Sequence, residues 1–172
     1  MATCVASAEG EKDIFGGAMN RELIKNAQNA IVCAMKVDWD ATRKQGRGIM
    51  FPDGDTKLLP RDLLNQFTSL LLSPTTYPEL EEAKDCIPSY HIRVGFEHGA
   101  QSIEISFCFG CDILQVHRGT EVISEVDFDT GANALFAILY SVFPEDSTMR
   151  FLHERRLAWK GKKSASPTES GH

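Results

Sequence analysis

The sequence predicts an α+β fold, an antiparallel sheet of roughly five or six strands with helices packed on one face. Two observations predict it. Strand-like segments follow one another between residues 92 and 126 with no helical pattern between them, which is not the order of an alternating βαβ chain. Leucine-rich helical patterns lie before and after this run, and each has its apolar side chains on one face.

The elements before the first strong helix are a helix and two strands. Residues 20–29 predict a short helix, and the apolar run 30–38 predicts a buried strand. A second short strand is predicted over residues 48–51. The sequence Pro-Asp-Gly-Asp at residues 52–55 predicts a turn directly after it.

Three amphipathic helices are predicted in the rest of the chain. Pro60 suits the first turn of a helix because its φ is fixed and it lacks an N–H group. The second helix ends before Pro144, and the third starts at Asp146, with a basic side that is expected to face solvent. The apolar stripes are Leu63, Leu64, Phe67, Leu70 and Leu71 in the first helix, and Leu135, Ile138, Leu139 and Val142 in the second; the basic side of the third is Arg150, Arg155 and Arg156.

The strands between the helices form a meander whose register can be predicted from apolar pairing. A loop at residues 98–101 places Ile92 opposite Phe107. A two-residue turn at Phe109-Gly110 places Ile105 opposite Leu114. In both pairings every core partner is apolar, so these three strands are expected to share one buried face.

Composition at the two ends predicts the domain boundaries. Residues 1–18 lack apolar periodicity and are expected to form a flexible N-terminal segment. Residues 160–172 have no apolar side chain larger than alanine or proline and are expected to form a disordered tail. The single domain is therefore predicted over residues 19–159.

Charge and composition exclude several classes of function. The net charge of −6 over 172 residues argues against a nucleic-acid partner. No apolar run approaches the ~20 residues of a transmembrane segment, so a soluble protein is expected. Five cysteines are an odd number, which leaves the compartment undecided. The expected location is the cytoplasm for the sequence as written, or outside it if a leader has been removed around the small residues 2–8.

The most informative feature is a cysteine corner, formed by Cys86, Cys108 and Cys111. In the predicted register Cys108 and Cys111 face each other at the end of a hairpin, at a Cα separation that a disulfide allows. Cys86 lies within a short loop of Cys111, and His91 falls opposite Cys108. The candidates are a structural or redox disulfide, a zinc site and reduced structural thiols. A Cys108–His91 nucleophile pair lacks a third group to orient the ring.

A resemblance covers roughly residues 60–146. The segments Lys84-Asp85-Cys86-Ile87-Pro88, Cys108-Phe109-Gly110-Cys111 and Phe143-Pro144 resemble a group of small uncharacterised bacterial proteins. These combine a leucine-rich helix, a Lys-x-Cys-x-Pro segment, a Cys-x-x-Cys hairpin and a helix ending in Phe-Pro, and several look like exported proteins or lipoproteins. The resemblance implies no activity, but it groups Cys86, Cys108 and Cys111 and weakens the cytoplasmic interpretation.

The sequence therefore predicts a non-catalytic binding or structural module with a structural cysteine corner. It assigns no catalytic, cofactor-binding or metal-binding residue, and it leaves enzymatic activity undecided. One alternative is a thiol/disulfide or zinc-dependent function centred on Cys86, Cys108, Cys111 and His91, with zinc as the one cofactor left open. The other is an acidic interaction protein of the immunity or adaptor type, which would bind a protein partner.

Overall fold

The structure is a computed structural model that describes residues 13–45, 50–78 and 84–164. Within these ranges no helix has both the length and the apolar character needed to span a bilayer. The strands are β1 (Asn29–Val37), β2 (Met50–Leu58), β3 (Ile92–His98), β4 (Gln101–Cys108), β5 (Ile113–Arg118) and β6 (Glu121–Asp127). The helices are α1 (Ala18–Lys25), α2 (Trp39–Gln45), α3 (Arg61–Leu71), α4 (Ala132–Val142) and α5 (Ser147–Ser164), with a short 3₁₀ turn at Pro74–Thr76.

The six strands form one antiparallel sheet in the order β2-β1-β3-β4-β5-β6. Alternate residues of the strands, such as Val94, Ile105 and Leu114, are fully buried against helix residues such as Phe67 and Leu135. The predicted α+β class, with helices on one face of the sheet, is confirmed. The other side of the sheet carries no described helix layer and is called here the open face; Cys33, Arg93, Ser106 and Gln115 lie on it.

The hairpin of β3 and β4 has the predicted register. Ile92 lies opposite Phe107, Val94 opposite Ile105, and Phe96 opposite Ile103. All of these side chains are buried, which fixes the register because a slip of one residue would turn them to the open face.

The hairpin of β4 and β5 differs from its prediction. Ile105 lies opposite Val116 and Cys108 opposite Ile113, so the connection is residues 109–112 and not a two-residue turn. Phe109 at its start is buried against neighbouring aromatic rings, and Asp112 at its end has a positive φ of 54°. Apolar pairing could not detect this difference, since a shift of two residues keeps the same side chains on the same face.

The turn predicted at residues 52–55 is part of β2. Two steps along β1, from Cys33 to Met35, span four steps along β2, from Thr56 to Pro52. The strand therefore bulges, and Gly54 has a φ of 79°, which suits a residue without a Cβ atom. Turn-forming residues here make an irregularity within a strand, and β2 extends well beyond the predicted residues 48–51.

Buried residues lie before the predicted start of the domain, and helical structure continues past its predicted end. Ile14 and Phe15 fall within the segment 1–18 that was expected to be flexible, yet both are buried in the core. Helix α5 continues to Ser164, past the predicted boundary at residue 159. Residues 1–12 and 165–172 lie outside the described part of the chain.

The burial of helix α4 gives a test of the core. Leu139 is completely buried, so Leu139→Asp places a carboxylate where it has no partner. We expect it to lower the free energy of unfolding by more than about 3 kcal/mol. Glu145→Lys, at an exposed position just beyond the helix, should change it by less than about 0.5 kcal/mol. Urea denaturation measures both, and an unchanged midpoint for Leu139→Asp would contradict the packing of α4.

Candidate functional site

The structure joins Cys86 to Cys111 in a disulfide, with the two Cα atoms 6.5 Å apart. The facing pair predicted between Cys108 and Cys111 is wrong, because the longer connection carries Cys111 away from the position opposite Cys108. Cys108 and Cys33 are free and buried. The disulfide spans 25 residues of chain and fastens the segment that precedes β3 to the β4–β5 connection.

Cys108 lies beside this disulfide in a small cluster on the open face. Its side chain is 1% exposed and packs with Tyr90 and Ile113, and Cys111 packs against the same cluster. The backbone N–H of Ser89 donates a hydrogen bond to Cys108 Sγ over 3.2 Å. The three cysteines predicted to meet do meet, with a bonded pair and one adjacent thiol.

His91 is held by the main chain but is not a base for Cys108. The backbone N–H of His91 donates to the carbonyl of Phe107, and the backbone carbonyl of His91 accepts from the backbone N–H of Met35. Burial lowers the pKa of the imidazole to about 4, against the opposing charge of Asp146. Among the described residues its Nδ1 atom has no hydrogen-bond partner. A neutral ring whose Nδ1 atom makes no hydrogen bond to the thiol does not form the nucleophile pair considered from the sequence.

The zinc ligands considered from the sequence are not assembled here. Cys86 and Cys111 are bonded to each other, and a metal needs free thiolates. Within residues 13–45, 50–78 and 84–164, no group of three or more His, Cys, Asp or Glu side chains is placed to hold a metal ion.

Lys84 also holds the segment that carries Cys86 against the β4–β5 connection. Its Nζ atom donates to the carbonyls of Cys111 and Asp112, over 2.7 and 3.2 Å. It also lies 2.8 Å from an oxygen of Asp129 and 3.2 Å from one of Asp127. Burial lowers the pKa of Lys84, but the hydrogen bonds to these two carboxylates outweigh it and raise the pKa above its usual value.

Arg156, on helix α5, forms hydrogen bonds to the β4–β5 connection from the helix side of the sheet. Its guanidinium donates to Asp112 and, over 2.8 Å, to the carbonyl of Phe109, and it lies over the rings of Phe109 and Phe136. Burial raises the pKa of Asp112, and the positive charge of Arg156 opposes this shift. The expectation that Arg156 belongs to a solvated basic face is therefore wrong, because the helix turns this residue inward.

A row of mainly polar residues crosses the open face from β2 to β6. Strand pairing places these residues side by side, one from each strand. In the order of the sheet they are Thr56, Cys33, Arg93, Ser106, Gln115 and Glu125. Their positions in the chain are far apart, so only the pairing brings them together.

A groove of about 660 Å³ lies over the β6 end of this row. Its floor includes Arg93, Gln115, His117 and Glu125, and one wall is the segment 86–88 beside the disulfide. On its rim Ile87 is 81% exposed and Val122 is 49% exposed. The groove therefore combines a polar floor with an apolar rim, next to the cysteine corner.

Hydrogen bonds organise the floor of the groove. Glu125 accepts from the hydroxyl of Tyr90 and from Gln115 Nε2, each over 2.6 Å. Burial, and then the bond to Glu125, raises the pKa of Tyr90 well above its usual value, so the phenol stays protonated as a donor. Arg93 donates to Ser106 Oγ and to Glu104, each over 3.3 Å.

His117 also lies on the floor. Burial lowers the pKa of its imidazole, and the positive charge of Arg93 lowers it further. Its Nε2 atom is buried without a hydrogen-bond partner in the described part of the chain. The histidine is accordingly a neutral polar group in the groove.

The sequence predicted the cysteine corner but not the groove. Arg93 and Glu104 form an ion pair on the open face, with 3.3 Å between the nitrogen and the oxygen. Gln115, His117 and Glu125 were not singled out together. Strand pairing places them on the open face, and the Cys86–Cys111 bond links the wall beside them to the β4–β5 connection.

Comparisons with known proteins give no further assignment. Neither the family models, nor the curated proteins, nor the solved structures include a match to this chain.

The lowered pKa of His91 predicts a dependence of stability on pH. The unfolded chain binds a proton on this histidine below about pH 6.5, whereas the folded chain does so only near its pKa of about 4. Stability is therefore lost as the pH falls through this window, by about 3 kcal/mol. Urea denaturation across the window should show a smaller loss for His91→Leu. The exposed His98→Gln is the control, and equal losses in His91→Leu and the wild type would contradict the assignment.

The inward position of Arg156 predicts a large effect of removing its charge. Arg156→Met leaves the partly buried Asp112 without its cation and should cost about 2 to 4 kcal/mol of stability. Arg155→Met, at the adjacent exposed position, should change the stability by less than about 0.5 kcal/mol. Equal melting temperatures for the two variants would place Arg156 on the solvated face after all.

Proposed function

We propose that this protein is a non-catalytic binding module that takes its ligand in the open-face groove, with the Cys86–Cys111 disulfide as a structural bond that fixes one wall. The observation that carries the proposal is the groove itself, a polar floor under an apolar rim. Concave sites with a few placed polar groups and apolar surroundings are typical of ligand-binding sites.

The pairing of the floor groups supports binding over catalysis. Arg93 is paired with Glu104, and Glu125 accepts from Tyr90 and Gln115. A general base or nucleophile needs an activated group within hydrogen-bond reach of a partner, and the Nε2 atom of His117 has no such partner among the described residues. Charges that neutralise one another in the floor are instead suited to recognising a ligand by shape and hydrogen bonding.

The chemistry of the groove favours a segment of a partner protein as its ligand. The exposed Ile87 and Val122 offer apolar contacts at the rim, while the floor offers amide, hydroxyl and imidazole groups. A polypeptide segment has both kinds of group, with apolar side chains for the rim and backbone amides for the floor. A polypeptide ligand is also consistent with the alternative, considered from the sequence, that this is an acidic interaction protein with a protein partner.

The Cys86–Cys111 disulfide supports this function because it holds the segment that forms one wall of the groove. Ile87 and Pro88 line the groove directly after Cys86. A crosslink removes freedom from the unfolded chain and holds this segment against the sheet in the folded one. Lys84 adds hydrogen bonds at the start of the same segment.

A peptide screen with a groove-filling variant tests the proposal. Peptides that bind the wild-type protein on an array are measured by titration calorimetry against Val122→Trp, which puts a large ring on the rim. We expect at least a tenfold loss of affinity, about 1.4 kcal/mol. Leu157→Trp changes an equally exposed residue on α5 and should bind like the wild type.

Two outcomes would contradict this assignment. In one, peptides bind Val122→Trp as tightly as the wild type, so that the groove is not their site. In the other, no peptide of the array binds the wild-type protein, so that a polypeptide is not the ligand.

A further inference from the structure

We propose that Cys108 is an internal nucleophile that exchanges the Cys86–Cys111 disulfide for a Cys108–Cys111 disulfide and releases Cys86 as a thiol. The exchange would give the groove two covalent states. Its consequence for ligand binding depends on the function proposed above, whereas the exchange itself does not.

The geometry of the cysteine corner carries this inference. Cys108 and Cys111 lie at the two sides of one short connection, and Cys111 packs against the cluster that contains Cys108. The thiol therefore lies in the cluster against which Cys111 of the disulfide packs, and at 1% exposure it is shielded from solvent reagents. An internal disulfide is the partner that a buried thiol in this position can reach.

A hydrogen-bond donor already points at the attacking atom. The N–H of Ser89 lies 3.2 Å from Cys108 Sγ. Such a donor stabilises a thiolate, which is the reactive form in disulfide exchange. Since Ser89 belongs to the segment that follows Cys86, the same segment would support the nucleophile and carry the leaving group.

The chemistry balances without an added oxidant or reductant. The Cys108 thiolate attacks Cys111 Sγ, the Cys108–Cys111 bond forms and the Cys86–Cys111 bond breaks. Cys86 leaves as a thiolate and takes up the proton that Cys108 gave up. The chain holds one disulfide before and after the step.

Cys33, the other free cysteine of the described residues, is not placed for this step. It lies on β1, and β3 separates that strand from β4. Its thiol donates to the carbonyl of Ala34 over 3.3 Å. Burial raises the pKa of Cys33, which further disfavours its thiolate.

The exchange would change the wall of the groove. Cys86 is exposed, and Ile87 and Pro88 follow it on the rim. Once Cys86 is free, the start of this segment is held by the hydrogen bonds of Lys84 and no longer by a covalent bond. The released thiol would also be open to reaction at the surface.

Mapping of thiols in the folded protein tests the exchange without any ligand. The full chain with Cys4→Ser and Cys33→Ser keeps only the three cysteines of the corner. After incubation under native conditions the protein is quenched in acid, unfolded and alkylated, and the label is located by mass spectrometry. We expect label to appear on Cys86 and to fall on Cys108 by the same amount. The rate should rise with pH, because the thiolate is the attacking form in disulfide exchange.

Two measurements make the result decisive. The rate should not depend on protein concentration, because the attack is within one chain. In the same background Cys108→Ser should reduce label on Cys86 to the level of the quenched starting material. Label that stays on Cys108 at every pH and time, or a rate that rises with protein concentration, would overturn the proposal. Peptide affinity is measured separately, so loss of groove binding and absence of exchange are distinguishable.

Discussion

Burial of the Phe109 ring is the constraint on which the cysteine corner depends. The ring centroid lies 5.6 Å from those of Phe107 and Phe128 and 5.1 Å from that of Phe136. Burying a phenylalanine side chain contributes about 1.5 to 3 kcal/mol, and aromatic contacts add to this. A two-residue turn would put Phe109 at the tip of the hairpin, whereas the four-position connection of residues 109–112 lets its ring enter the core.

The connection that buries Phe109 also places Cys111 and Asp112. Cys111 leaves the ladder and meets Cys86, and Asp112 meets Arg156 from helix α5. Lys84 donates hydrogen bonds to the backbone carbonyls of Cys111 and Asp112. Three kinds of interaction, a covalent bond, an ion pair and charge-assisted hydrogen bonds, thus hold one short connection between the sheet and its surroundings.

This arrangement links the two faces of the sheet. The aromatic rings pack on the helix side, while Cys108 and Gln115 lie on the open face of the same hairpin. The segment from Lys84 to Tyr90 is tied to the hairpin and forms the groove wall above the polar row. The proposed ligand site and the proposed disulfide exchange therefore share one structural basis, and a change in the bonding of Cys86 acts directly on the wall beside Ile87.

The sequence by itself determined the fold class, the apolar faces of α3 and α4 and the β3–β4 register, because burial alternates with helical and strand periods that are local in the chain. It also predicted a cysteine corner at Cys86, Cys108 and Cys111, but with a facing Cys108–Cys111 pair that is wrong. Apolar alternation cannot separate registers that differ by two residues, so the β4–β5 connection and the identity of the bonded pair emerge only in the tertiary structure, where Phe109 enters the core. The groove likewise forms only in the tertiary structure. Its floor joins residues from β3 to β6, and one wall is linked to the sheet by a disulfide between positions distant in the chain.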